Sequence, residues 1–421
     1  MSALIYPRHT EAEVVAAMAD TPVVAIVGPR QCGKSTLAEA VADGHGARHV
    51  SLDDARARAA ANSDPAGFIE GADLPLVIDE FQKAPPLLDA IKHRVDQARR
   101  GGRRPAAMFL LTGSANVWAT LRLSESLTGR AERVQLWPLS QGEIEGRRED
   151  LIDRLFDGDI PELIGRPVGR GAVSDRLVAG GYPEMVARSE PRRRARWARA
   201  YVEMVVERDA RDVVERPQQL DELPKLLELA AARVGGLVEP TAMGSAIGMK
   251  KDSVRRYLRL LELLYLVHRV PAWSRNIGQR LIKSPKLWLP DSGLACELIG
   301  YSAERLVSDD TAQAGALFES FVAGELLKQA GWSETAVRLH HFRTAGGREV
   351  DIVLEAPDGR VVGVEVKLGS TPAKGDFSGL AHLRDRLGER FVAGVVVSTA
   401  PETLRFGDRL WALPVSGLWS D

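Results

Sequence analysis

Apolar residues in the first third of the chain fall in short runs: VVAIV (23–27), HVSL (49–52), LPLVID (74–79) and AAMFLLTG (106–113). Stretches with helical spacing separate them. Strands alternating with helices predict a parallel α/β sheet over residues 1–145. The charged segment QGEIEGRREDLIDR (141–154) breaks this pattern, and residues from about 150 to 235 read as helical. Residues 226 to 270 read as three short helices and a strand. After a Pro-rich stretch (271–290), the last hundred or so residues return to α/β patterning. The expected organisation is an α/β core (1–145), a helical lid or linker (146–225), a small helical module ending in a strand (226–272) and a second α/β domain (273–421).

Composition narrows this only slightly. Of the 421 residues, 45% are hydrophobic and 27% charged, which is the balance of a globular protein. No apolar run reaches membrane-spanning length, and the first residues carry no basic stretch leading into an apolar core. The two cysteines, Cys32 and Cys296, are far apart, which argues against a disulfide framework or a zinc site and fits a reducing cytoplasm. Formal net charge is −1, so any nucleic-acid surface must be a local patch.

The run VVAIV leads directly into GPRQCGKST, residues Gly28, Pro29, Arg30, Gln31, Cys32, Gly33, Lys34, Ser35 and Thr36. This fits G-x-x-x-x-G-K-[ST], with a strand before and a helix after. The glycines let backbone N–H groups turn inward around phosphate oxygens. Lys34 neutralises the β and γ phosphates of ATP, and Ser35 coordinates Mg²⁺. The helix that follows adds its N-terminal dipole. LPLVIDEF supplies the acidic strand end such a site requires: Asp79 to hold Mg²⁺ through water, and Glu80 to activate the attacking water. In FLLTGSAN, Ser114 (or Asn116) stands at the next strand end, where it reaches the γ phosphate or caps a helix. Arg130 is a candidate arginine finger, acting on its own site or on a neighbouring subunit, with Arg133 as substitute. A finger acting on a neighbour requires a homo-oligomer.

These motifs, GPRQCGKST, VIDEFQKAP, LTGS and SLTGRAERVQLWPLS, stand in the order that resembles a family of prokaryotic AAA-type ATPases. GGYPE (180–184), KLWLPDSGLACELIG (286–300) and REVDIVLE (348–355) extend the resemblance over most of the chain. It implies a P-loop NTPase core joined to a C-terminal domain of restriction-endonuclease-like fold.

In the middle, KKDSVRRYLRLLELLYLVHRV (250–270) has a candidate cap at Asp252. Its apolar face comprises Val254, Leu258, Leu261 and Leu264 or Tyr265. Lys250, Lys251, Arg255, Arg256 and Arg259 populate its exposed early part. Helix, turn, basic helix and strand is the layout of a winged helix, whose second helix enters the DNA major groove; the same layout also docks proteins. A second basic run, Arg192, Arg193, Arg194, Arg196 and Arg199 around Trp197, reads as a solvated helix face more readily than as a phosphate track.

In the last segment, GREVDIVLEAPDGRVVGVEVKLG (347–369) reads as a hairpin turning at Asp358. Asp351 then faces Glu365 on one side of the sheet, and Lys367 shares that side. Opposed carboxylates repel unless they hold a divalent cation, with Lys367 beside it. The D…E-x-K array looks like the catalytic set of restriction-type nucleases, and Glu319 fits the extra acidic residue of their first helix. The expectation is a Mg²⁺-dependent ATPase that couples nucleotide to DNA engagement. Its rivals are an ATP-driven endonuclease and a nucleotide-gated protein scaffold.

Overall fold

The computed structural model describes residues 6–100, 105–114, 127–160, 167–213, 220–276, 278, 280, 283–309 and 311–420. It divides into two compact units, Pro7–Pro138 and a second running from Leu139 to the C-terminal end. The break falls a few residues before the expected boundary at 145. Beyond it, the three segments expected separately share one hydrophobic cluster running from Leu151 to Trp419.

The first unit is a five-stranded parallel sheet in the order β2-β3-β4-β1-β5. Its strands are β1 (Val23–Gly28), β2 (Arg48–Ser51), β3 (Leu76–Asp79), β4 (Phe109–Ser114) and β5 (Ala131–Gln135). Among the described residues it carries helices α1 (Thr10–Asp20), α2 (Lys34–His45), α3 (Ala55–Ser63), α4 (Pro65–Glu70) and α5 (Leu87–Arg100). Buried residues of β1 alternate between two clusters: Val23 and Ala25 pack with β3, β4 and α5, while Val24 and Ile26 pack with α1 and α2. A strand buried on both faces reads as an unbroken apolar run, which is why VVAIV shows no alternation. Because β4 lies between β1 and β3, the C-terminal ends of all three strands converge on one edge, where open parallel sheets bind ligands.

The second unit starts with α6 (Gln141–Glu145) and α7 (Leu151–Asp157), followed by α8 (Arg170–Ala179) and α9 (Pro191–Met204). Next come α10 (Leu223–Ala232), α11 (Pro240–Ile247) and α12 (Lys251–Leu263). The short antiparallel pair β6 (His268–Val270) and β7 (Lys286–Trp288) follows. Helices α13 (Ser292–Ile299) and α14 (Ala312–Gln329) lead to a six-stranded sheet, β12-β13-β11-β10-β9-β8. Its strands are β8 (Arg338–Arg343), β9 (Glu349–Glu355), β10 (Val361–Lys367), β11 (Phe391–Ser398), β12 (Leu404–Gly407) and β13 (Leu410–Pro414), with α15 (Ser378–Leu387) crossing from β10 to β11.

Several quoted motifs prove to be close-packing points. The N–H of Leu139 donates to Gly181 (2.7 Å), and a Cβ on Gly181 would collide with the Leu139 carbonyl. Asp291 accepts from the Gly181 N–H (2.7 Å) and from Leu294 N (2.9 Å), capping α13. GGYPE and PDSG therefore form one joint. At the start of α6 the Gln141 N–H donates to Glu325 (2.8 Å), and Lys328 donates to the Leu139 carbonyl (3.0 Å) and to Glu325 (2.5 Å). On α9, Trp197 stacks on Tyr201 at 5.1 Å, Arg199 pairs with Glu297 and Arg194 donates to the Arg188 carbonyl. Arg194 and Arg199 thus tie the helix to its surroundings, while Arg192, Arg193 and Arg196 are exposed.

Candidate functional site

The phosphate-loop segment follows β1 without interruption. Gln31 (φ 59°) and Gly33 (φ 101°) take left-handed backbone conformations that reverse the chain into α2. Gly28 is obligatory for a different reason: a Cβ there would meet the carbonyl oxygen of Leu136. Cys32 turns its sulfur into the core, toward that same carbonyl (3.6 Å), so it serves the loop through its backbone. Arg8, which sequence reasoning did not single out, holds the back of the loop. Its guanidinium donates to the carbonyls of Cys32 (2.6 Å) and Trp137 (2.7 Å).

Lys34 is only 7% exposed, and its ammonium donates to the carbonyls of Gly28 (3.2 Å) and Pro29 (2.6 Å). No carboxylate among the described residues lies within ion-pair distance of it. A buried cation facing only neutral carbonyls is a receptor for an anion, and the loop's residues therefore fit a polyphosphate. Ser35 donates to Asp79 Oδ1 (2.8 Å), which brings together the two side chains expected to share Mg²⁺. Asp79 also accepts from Ser51 (3.3 Å) and from Thr112.

Glu80 is in the left-handed region (φ 56°, ψ 39°), a strained state for a residue with a side chain and one that collects at functional sites. Its N–H donates to Thr112 Oγ1 (3.3 Å) and its carboxylate accepts from Gln82. Burial, and then the neighbouring Asp79 charge, push the Glu80 carboxyl above its usual range, against the pull of Lys34 and Arg30. A carboxylate made more basic in this way suits proton abstraction from water. Sequence reading missed Thr112 and Gln82. Thr112 sits two residues before Ser114 on the same strand face, and only the β3–β4 pairing shows that it reaches Asp79.

Ser114 pairs with Gly28 across β4 and β1, at the mouth of the loop; its side chain lies outside the described residues, as does Asn116. Arg130 is not brought to this edge. It precedes Ala131, which pairs with Val23 at the opposite end of β1, roughly 17 Å from Gly28 at about 3.3 Å per residue. Its guanidinium is held by Asp96 on α5 (2.7 and 3.0 Å). An arginine finger acting on its own site is therefore corrected. The strand register, invisible in a motif, sets Arg130 on the wrong edge.

The C-terminal cluster forms where the hairpin argument put it. The β9–β10 register (Ile352 opposite Val364, Glu355 opposite Val361) sets Asp351 across from Glu365. Lys367 donates to Glu365 (2.8 Å). Glu319 joins from α14, but a further cation comes with it: Lys286 of β7 donates to Glu319 (2.7 Å) and to Asp351 (2.9 Å), and Trp288 donates to Glu319 (2.9 Å). Among the described residues no group of three or more His, Cys, Asp or Glu stands ready to hold a metal ion. The Lys286 ammonium thus lies between Glu319 and Asp351. Burial and the Asp351 charge raise Glu319 to about 7 and Glu365 to about 8.

On α12 the residues Lys250, Lys251, Arg255, Arg256 and Arg259 are all exposed, and Arg255 pairs loosely with Asp252 (3.5 Å). The expected cap is corrected: Lys250 holds the cap position and Asp252 lies inside the first turn. There its charge still favours the positive helix end.

Two outcomes test this geometry. Thr112→Val removes a hydroxyl hydrogen bond to a carboxylate, an interaction of about 1.5–3 kcal/mol. It should lower nucleotide turnover about tenfold or more while leaving nucleotide affinity near normal in a binding titration. The raised Glu319 and Glu365 carboxyls stabilise the fold when protonated. That stability is complete below about pH 4.5 and is lost as pH rises through about 7 to 8. Chemical denaturation across pH should show this fall, and Glu365→Gln should flatten its upper part.

Three family descriptions match the sequence: "AAA domain" over residues 20–145, "Domain of unknown function (DUF8612)" over 170–305 and "Domain of unknown function (DUF4143)" over 314–418. An uncharacterised protein of Mycobacterium bovis and one of Mycobacterium tuberculosis are each 29% identical over 373 residues, 88% of this chain and 76% of theirs. Among solved structures, the Walker-type ATPase PABY2304 of Pyrococcus abyssi is similar with a TM-score of 0.44 and 14% identity, over 70% of this chain and 96% of that one. The RuvB Holliday junction branch migration motor of Thermotoga maritima is similar with a TM-score of 0.26 and 17% identity, over 62% of this chain and 87% of that one. No helix among the described residues is long and apolar enough to cross a membrane. Residues 20–145 thus match the AAA domain description, and the strand, phosphate loop and helix of a P-loop fold lie within that match.

Proposed function

We propose that the chain is a Mg²⁺-dependent, cytoplasmic ATPase whose nucleotide state controls how its second unit engages DNA. The observation that carries the enzymatic part is the buried Lys34 ammonium, with no carboxylate partner among the described residues, beside the Ser35–Asp79 pair. Lys34 and the loop N–H groups bind the phosphates. Ser35 and Asp79 would hold Mg²⁺, which neutralises charge developing on the β and γ phosphates. Glu80 takes the proton of the attacking water, with Gln82 and Thr112 fixing its position. Ser114 stands at the neighbouring strand end, opposite Gly28, as the candidate contact to the γ phosphate. Arg130 remains a finger only for a neighbouring copy, and would have to leave Asp96 to act.

The DNA part rests on the order of elements in the middle of the chain. Helix α10 is followed by an isolated bridge between Leu237 and Lys286, then α11, the basic α12 and the antiparallel β6–β7 pair. This order supports a winged helix, with α12 as the helix offered to the major groove. Further on, α14, β8, β9, β10, α15 and β11 run helix, three antiparallel strands, crossover helix, parallel strand. That arrangement supports the restriction-endonuclease-like reading. The convergence of Glu319, Asp351, Glu365 and Lys367 favours a second reading, ATP-driven DNA cleavage, and the Lys286 ammonium among them opposes it.

Lys34→Ala should abolish tight ATP binding in a calorimetric titration; undiminished affinity would remove the assignment. Glu80→Gln should bind ATP yet turn over 10²- to 10⁴-fold more slowly, the usual share of a general base. Duplex DNA binding followed by anisotropy should weaken steeply with salt. Arg255→Ala with Arg259→Ala should reduce the logarithmic salt slope by about 2. Salt-independent or absent binding would leave the scaffold reading instead.

A further inference from the structure

Helix α9 opens on arginines whose charge is not spent inside the fold. Arg192, Arg193 and Arg196 are exposed, and among the described residues none of them meets a carboxylate. The rest of the basic run differs. Arg188 pairs with Glu184 (2.5 Å), Arg194 donates to the Arg188 carbonyl (2.8 Å) and Arg199 pairs with Glu297 (2.8 Å). The first turn of α9 holds no acidic residue, and Glu190 at its cap makes no side-chain hydrogen bond to it. Cations at the positive end of a helix are locally unfavourable. A local rule broken without internal compensation is the mark of a site rather than of the fold.

Arg193, Arg196, Trp197 and Ala200 stand at i, i+3, i+4 and i+7, on one face of the helix. With Arg188 they line a groove of about 490 Å³. The Trp197 indole is fixed on its inner side. It stacks on Tyr201 (centroids 5.1 Å apart, planes 14° apart) and lies 5.6 Å from Tyr182. Both tyrosines are buried, and their hydroxyls share a hydrogen bond (3.0 Å). The groove therefore has a rigid aromatic wall between two uncommitted guanidiniums.

Charge on phosphates and stacking on bases are the two means by which single strands of nucleic acid are held. The lining decides among polyanions. Apart from the guanidiniums and the indole N–H, it offers no hydrogen-bonding side chain to read a base edge, so it selects no particular nucleotide. An acidic peptide would answer the arginines and leave the indole unused. A duplex keeps its bases stacked away from the indole.

We propose that the α9 groove binds single-stranded nucleic acid without sequence preference, with Arg193 and Arg196 on phosphates and a base stacked on Trp197. The inference goes beyond the duplex reading of α12 and does not rest on it, since it uses other residues on another helix.

The test is fluorescence anisotropy of the full chain with a labelled oligothymidylate of about 16 nucleotides, the upper range of a single-strand site, and with a duplex of equal length. Arg193→Ala with Arg196→Ala should reduce the logarithmic salt slope of oligothymidylate binding by about 1.4, two contacts at about 0.7 each. Trp197→Ala should weaken that complex about tenfold, and Trp197→Phe, which keeps a ring beside Tyr201, should recover most of the loss. An unchanged salt slope in the arginine pair would overturn the proposal. So would equal losses for oligothymidylate and duplex in Trp197→Ala, or polyglutamate displacing the strand as well as unlabelled oligothymidylate does. If Trp197→Ala lowers the melting temperature, ultraviolet crosslinking of oligothymidylate to the unaltered chain decides instead: the crosslinked peptide should contain Trp197, and crosslinks only elsewhere count against the groove. Absence of any oligothymidylate binding sinks this site and leaves duplex binding by α12 untouched; loss of the duplex reading leaves this site standing.

Discussion

Burying a lysine ammonium is the constraint around which both units are arranged, and the two answer it differently. Taking a charge out of water is costly unless partners replace the solvent. Among the described residues Lys34 donates only to carbonyl oxygens of its own loop, so its charge stays available to something that arrives. Lys286 meets two carboxylates, so its charge is spent internally. The same functional group therefore makes one site receptive to anions and the other closed to cations. The difference lies in where acidic residues were left out: next to Lys34 the acids answer to Ser35, Ser51, Thr112 and Gln82 instead.

What the sequence disclosed follows from distance along the chain. The phosphate loop is nine consecutive residues with a strand before and a helix after, so its chemistry is written in one place. Asp79 and Glu80 were legible because a buried strand must end somewhere, and polar residues at its tip mark the sheet edge. The pairing of Asp351 with Glu365 was legible because a hairpin turn fixes the register of both strands, and a single slip would reverse every face. Each of these is a local rule acting over fewer than about twenty residues.

The partners that complete the sites were hidden for the complementary reason. Thr112 reaches Asp79 only because β4 inserts between β1 and β3, an order no run of residues announces. Arg8 reaches the loop from before the first helix. Lys286 is 65 residues from Asp351 and fell in a stretch read only as Pro-rich. Arg130 misled for the same cause in reverse: its neighbours in sequence resemble a finger, but the parallel strand after it starts at the sheet edge opposite the nucleotide. The expected independent domains merged because helices throughout the middle of the chain turn their apolar faces toward the same core as the C-terminal sheet.

Helix α14 draws these features onto one rod. Near its end, Glu325 and Lys328 grip Leu139 and Gln141, at the start of the second unit. Six residues earlier, about 9 Å along the axis, Glu319 is held by Lys286 and Trp288. An α-helix resists bending over so short a span, so one rigid element fixes the spacing between the first turn of the second unit and the acidic cluster.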